Sequence, residues 1–225
     1  MLEPGPGTGV LTAALADRAG RVEAIELDRW LVNRLQQRFS DHAGVTIKHG
    51  NFLTARLPAR PYTFVSNVPF GQTADFVRKA LLSKSPPQDA YMILEASASA
   101  RFLGQPFEDE SVLSLMIGAR FERAILEFIS PTHFEPMPKA NSVLVRFKKR
   151  DPSFAAPADL HAFDRFAGKV FNTGGQFNRS SLLKLCPRNL ASPLVNELGS
   201  PQGRPASAIG FEHWWTLYRL NRERK

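Results

Sequence analysis

The 225-residue sequence predicts an α/β domain on a mostly parallel sheet, followed by a small all-helical domain. Two observations carry this. Strand-like and helix-like segments alternate through the first 150 residues, and strand signals vanish beyond a stretch of charge, Pro and Ala at 148–158. The domains are accordingly read as 1–149 and 150–225.

A Gly-rich turn at 5–9 leads into a helix at 10–19. RVEAIEL at 21–27 reads as a short buried strand and 28–39 as an amphipathic helix. Strands follow at 45–49 and 62–66, the second running into a loop at 67–71. A helix at 73–82 stops before Pro86-Pro87. Residues 90–95 are strand-like, 110–120 helical, and 124–129 with 142–147 make a last pair of strands near one sheet edge. Beyond the linker, short helices are expected at 160–171, 180–185, 190–198 and 212–220. Ahead of the glycine turn only 1–3 remain for a strand, where about 5–6 residues are usual. Most of the central first strand is therefore expected to be missing, its neighbours' edges bared.

With 43% hydrophobic and 22% charged residues, the chain can build a core, which excludes a disordered tail and a disulfide scaffold. No apolar run approaches the roughly 18 residues of a membrane span, and no secretory leader is visible. Cys186, the one cysteine, reads as a packed small hydrophobe with no metal set around it. A cytoplasmic monomer without metal or membrane partner is the expectation. Net charge +8 favours a polyanionic partner, nucleic acid first. The excess is concentrated late: 18 basic against 15 acidic residues through Lys149, then 11 against 6.

Two motifs carry chemistry. In Glu3-Pro4-Gly5-Pro6-Gly7-Thr8-Gly9 the alternate glycines let the backbone turn sharply and leave a ligand room against it. Such a turn before a helix suits a dinucleotide pyrophosphate or the methionine part of S-adenosylmethionine. Glu26, with Leu27 beside it, ends the second strand where an open α/β sheet presents a carboxylate to a ribose hydroxyl pair. Asn67-Val68-Pro69-Phe70 follows a strand. The Asn67 side-chain oxygen and a main-chain carbonyl near Val68–Pro69 can accept both hydrogens of an adenine amino group. They hold it in line with a methyl donor and favour a more tetrahedral nitrogen. Pro69 fixes the loop, and Phe70 offers a face for stacking a base.

These motifs, the AIELD segment at 24–28 and FEPMPKANSVL at 134–144 resemble the ribosomal RNA adenine N6-methyltransferases of the Erm and KsgA types over nearly the whole chain. The wording of NVPF, of FEPMPKANSVL and of the tail at 204–220 is closer to Erm. The resemblance implies a Rossmann-like class I methyltransferase sheet with a helical C-terminal domain. S-adenosylmethionine is the implied cofactor, S-adenosylhomocysteine the product, and no metal is needed. Ribosomal RNA is the implied partner, 23S in the Erm case, with macrolide-lincosamide-streptogramin resistance as the consequence. Phe134 is implied to face the flipped adenine opposite Phe70, and Lys139, Arg179, Lys184 and Arg188 to contact RNA backbone. The cofactor site is implied to take Glu3, Gly5, Gly7, Gly9, Glu26, Leu27, Asn51, Phe52 and Asn67.

Three departures stand out. Asn51 in Gly50-Asn51-Phe52-Leu53 replaces the family's usual Asp, keeping an acceptor for the cofactor adenine but losing its charge. Relatives carry about one helix and most of a strand before the glycine motif, so the chain is expected to begin late. Phe171-Asn172-Thr173-Gly174-Gly175-Gln176-Phe177-Asn178-Arg179 stands where relatives often carry paired arginines, and its two glycines weaken a helix. Two rival readings remain: dimethylation of small-subunit ribosomal RNA, and a non-catalytic RNA-binding assembly factor on the same fold.

Overall fold

The computed structural model describes residues 1–172, 176–197 and 203–223. In chain order these form β1 (Leu2–Pro4), α1 (Val10–Ala16), β2 (Val22–Glu26), α2 (Arg29–Arg38), β3 (Val45–His49), β4 (Thr63–Asn67), α3 (Thr73–Leu81) and β5 (Asp89–Glu95). There follow α4 (Ala96–Leu103), α5 (Val112–Gly118), β6 (Phe121–Ile129), β7 (Ser142–Lys149), α6 (Pro157–Asn172), β8 (Gln176–Phe177), α7 (Arg179–Leu185), α8 (Arg188–Glu197), β9 (Arg204–Pro205) and α9 (Phe211–Glu223). No described helix is long and apolar enough to cross a membrane.

Seven strands form one sheet in the order β3-β2-β1-β4-β5-β7-β6. β1 to β5 run parallel to one another, and β7 is antiparallel to β5, Glu95 facing Ser142 and Asp89 facing Lys148. This is the Rossmann-like methyltransferase sheet that the sequence predicts. The central strand is present, though short: Leu2, Glu3 and Pro4 pair with Glu23, Ala24 and Ile25, and Leu2 pairs with Phe64. All three β1 residues are buried, so the short strand sits inside the sheet, paired with β2 along its length and with β4 at Leu2.

Contacts divide the chain into two compact units. The first holds Met1–Ala98 with Glu122–Lys149; the second holds Ser99–Phe121 with the described residues from Arg150 on. The sequence reading put 99–121 with the sheet. Those residues carry α5, whose Leu115 and Ala119 belong to the apolar cluster of α6, α7 and α9. An apolar helix between two strands looks like a sheet-covering helix until its packing partner is seen. The second unit also contains a two-stranded ribbon, β8 with β9, too short to register in the sequence. Its core is aromatic: Phe163, Phe177 and Trp214 are each 1% exposed or less. Arg120 and Asp164 pair through two hydrogen bonds of 2.9 and 2.6 Å in the same unit.

Local signals explain the helix starts. Asp28 accepts from Trp30 N and Leu31 N at the head of α2, at 2.7 and 3.3 Å. Ser111 with Ser114, and Asn178 with Ser181, make reciprocal capping boxes for α5 and α7. The glycine pair Gly174-Gly175 lies outside the described residues, so its effect on α6 is not part of the fold described.

Candidate active site

The first sheet unit brings both sequence motifs to one end of the parallel strands. Gly5, Gly7 and Gly9 have φ of +68, +56 and +84°, a left-handed run that L side chains rarely adopt. A Cβ on Gly7 would meet nothing within 4 Å, so that flank of the turn is open. A Cβ on Gly9 would sit 2.6 Å from Leu35 Cδ2, because α2 packs directly on the turn. Arg38 on α2 adds a hydrogen bond of 2.7 Å to the Thr8 carbonyl.

Glu26 fastens the turn to the end of β2. Its carboxylate accepts from Gly7 N at 3.2 Å, Leu27 N at 2.8 Å and Asp28 N at 2.9 Å. Leu27 stands out beside it, 62% exposed. Glu3 is the opposite case. It is 1% exposed, and neither of its carboxylate oxygens has a hydrogen-bond partner among the described residues. Burial pushes its carboxyl up to about 7, against a weaker opposing pull from the neighbouring Thr12 hydroxyl.

Asn67 ends β4, exposed, and the Val68 amide continues the ladder to the Ile93 carbonyl at 3.0 Å. The Pro69 carbonyl is taken by Gln72 N at 3.3 Å, closing a turn that leaves Phe70 43% exposed. One hydrogen bond ties this region to the glycine turn, and the Pro69 ring faces the side of Gly5 that carries no Cβ. Ser66 Oγ donates to the Pro4 carbonyl at 2.8 Å, and Pro69 Cγ lies 3.9 Å from where a Gly5 Cβ would be. Sequence reading missed Ser66, whose signal was slight: a hydroxyl on the same buried face of β4 as Phe64.

Asn51 is exposed, and its side-chain oxygen caps its own turn by accepting from Leu53 N at 2.9 Å. The Phe52 ring is 3% exposed, with centroids 5.6 Å from Phe64 and 4.9 Å from Phe76, so only its main chain is left for a ligand. Phe134 is half-buried in the segment leading to β7, whose first residue, Ser142, pairs with Glu95 at the Asn67 end of the sheet. Lys139 lies exposed in that same segment. Arg179 and Lys184 on α7 and Arg188 at the head of α8 are exposed in the second unit.

A seven-stranded sheet with β7 antiparallel, a glycine turn after β1 and a polar loop after β4 define the Rossmann-like methyltransferase class. The profile of the family described as Ribosomal RNA adenine dimethylase matches residues 1–197, and the chain belongs to that family. An rRNA adenine N-6-methyltransferase of Saccharopolyspora erythraea is 29% identical over 97% of this chain and 57% of its own length. A Ribosomal RNA small subunit methyltransferase A of Ralstonia nicotianae is 30% identical over 81% of this chain and 67% of its own. The crystal structure of the 23S rRNA methyltransferase ErmE superposes with a TM-score of 0.84 at 29% identity, covering 98% of this chain and 90% of that one. The chain spans 57% and 64% of the length of its S. erythraea and Aeromicrobium erythreum relatives.

Proposed function

We propose that the chain transfers a methyl group from S-adenosylmethionine to N6 of an adenine in ribosomal RNA, with 23S as the substrate. The observation that carries this is the joint between the two motifs: the Ser66 hydrogen bond to the Pro4 carbonyl, with the Pro69 ring facing the bare side of Gly5. A turn shaped for a small cofactor and a loop shaped for an amino group are held side by side.

The residues fit the cofactor. Glu3 is a buried carboxyl with no hydrogen-bond partner among the described residues, and a cationic amino group satisfies such a group. The open flank of Gly7 gives backbone access, and Glu26 and Leu27, beside it at the end of β2, would take the ribose and adenine. When bound, S-adenosylmethionine supplies an electrophilic methyl on its sulfonium. Asn67 and the Val68 carbonyl accept the two amino hydrogens and orient the nitrogen lone pair toward that methyl, so transfer is direct and no covalent enzyme intermediate forms. Phe70 and Phe134 receive the flipped base, worth about 1–3 kcal/mol per stacked face. The helical unit, with Arg179, Lys184 and Arg188, and the Lys139 loop hold RNA backbone.

The ErmE likeness supports the 23S substrate, and with it macrolide-lincosamide-streptogramin resistance. The R. nicotianae likeness supports the second reading, small-subunit dimethylation. Tritiated methyl transfer to naked large- and small-subunit RNA, with Asn67→Ala as control, decides between them. Label in 23S that falls at least about 100-fold in Asn67→Ala is the expected result. Label confined to 16S moves the chain to the second reading. RNA binding without any label leaves a non-catalytic binder.

A further inference from the structure

A surface on α2, outside the motifs, has the makeup of a nucleic-acid contact. Trp30 stands 62% exposed on the first turn of the helix, an unusual place to leave an indole in water. Arg34, four residues on and therefore on the same helix face, holds its guanidinium carbon 4.7 Å from the indole centroid. α2 carries Arg29, Arg34 and Arg38 and no acidic residue. Arg38 is turned back to the Thr8 carbonyl, which leaves Arg29 and Arg34 as the outward charges.

We infer that the Trp30–Arg34 pair is a stacking platform for an unpaired base of the RNA substrate, with Arg29 and Arg34 against the adjoining phosphates. The inference rests on the methyl-transfer reading for its substrate class and extends that substrate's contacts beyond the catalytic loop. Charge decides the occupant. An apolar peptide would match the indole but leave two arginines unpaired at the contact, whereas a nucleotide presents a π-face and an anion together. The guanidinium orders the indole and adds its own attraction to the base. Because Asp28 caps α2 and Gly9 packs on Leu35, the platform is rigidly tied to the glycine turn, so a base docked there is held at a fixed offset from the cofactor side.

The test is a fluorescence titration of the full chain with a single-stranded oligoribonucleotide, without methyl donor. The chain has three tryptophans, and Trp214 and Trp215 are 0% and 9% exposed, so the red edge of the emission reports Trp30. RNA is expected to quench that edge. Trp30→Leu is expected to bind about 5- to 10-fold more weakly, Trp30→Phe to recover most of the affinity, and Arg34→Gln to flatten the log–log salt slope by about 0.7. Trp30 is exposed, so neither change removes core packing. Unaltered affinity in Trp30→Leu, or quenching by S-adenosylhomocysteine alone, overturns the inference. So does red-edge emission that iodide quenches and RNA does not, which leaves the face to another partner. The readout needs no methyl transfer: a chain that shows the quenching but labels no RNA loses the proposed activity and keeps this surface.

Discussion

The two halves of the sheet are covered differently. β1 is buried along its whole length and β2 almost so, with α1 and α2 both packed against β2. β5 alternates strictly between half-exposed and buried positions, and much of β7 does the same. On their inner face Ala90, Met92, Leu94, Val145 and Phe147 are all 0% exposed. On the other, Val65, Tyr91, Ile93 and Leu144 stay half-exposed, while Leu126 and Phe128 on β6 are 49% and 74% exposed. A sheet face left to water is normally polar. The lesson is a division of labour. The covered half holds the glycine turn against α2, through Leu35 and Arg38, and the other half needs one packed face to present Asn67.

Five variants break or sharpen that contrast. Gly9→Ala is the most severe, since φ +84° and a Leu35 contact at 2.6 Å must both be accommodated. We expect a loss of about 3 kcal/mol, read as a lower urea midpoint at unchanged slope. A midpoint equal to the parent's would mean that α2 can draw back freely.

Glu3→Gln comes next, and its effect depends on pH. The folded carboxyl titrates near 7, above an unfolded value near 4.5, so the fold favours the protonated acid. Its stabilisation is complete below about 4.5 and lost as pH rises through about 7. The variant's stability relative to the parent should therefore climb by about 3 kcal/mol between pH 4.5 and 8, as followed by thermal melts. A gap that stays level with pH would show that Glu3 finds a partner when ionised.

Glu26→Ala removes three amide contacts, and we expect S-adenosylhomocysteine to bind about 10- to 100-fold more weakly by calorimetry. Undiminished affinity would limit Glu26 to a structural brace. Asn51→Asp restores charge to an acceptor that already caps Leu53, and affinity for the same ligand should rise about 3- to 10-fold. No gain would show that this side chain serves only its own turn. Smallest is the pair Leu126→Thr with Phe128→Thr on β6, expected within about 0.5 kcal/mol of the parent. A loss of several kcal/mol would mean that the second half is not carried by its inner face alone.

Most of the fold was legible because hydrophobic period and turn residues are local: Asp28 announces α2, and the buried alternation of β5 is written in its letters. What escaped was set by partners distant in sequence. Nothing in residues 99–121 says that Leu115 and Ala119 pack with Phe163 and Trp214. The three-residue β1 holds only because β2 and β4 flank it. In the site, the motif residues were legible as types, and their roles remain proposals. The joints were not legible, since Ser66 reaches Pro4 across 62 positions and Arg38 reaches Thr8 across 30. Nor did the letters distinguish Glu3, with no hydrogen-bond partner among the described residues, from Glu26, which accepts from three main-chain amides.

The Ser66 hydroxyl on the Pro4 carbonyl sets a distance as well as a contact. Under the proposed chemistry, β1 carries the donor side and β4 the acceptor side, and this buried hydrogen bond is a pin between neighbouring rails. Loosening it would leave each ligand its own pocket while spoiling the gap between them. Such an enzyme would fill normally and turn over slowly, a fault that binding measurements on either ligand alone would pass as healthy.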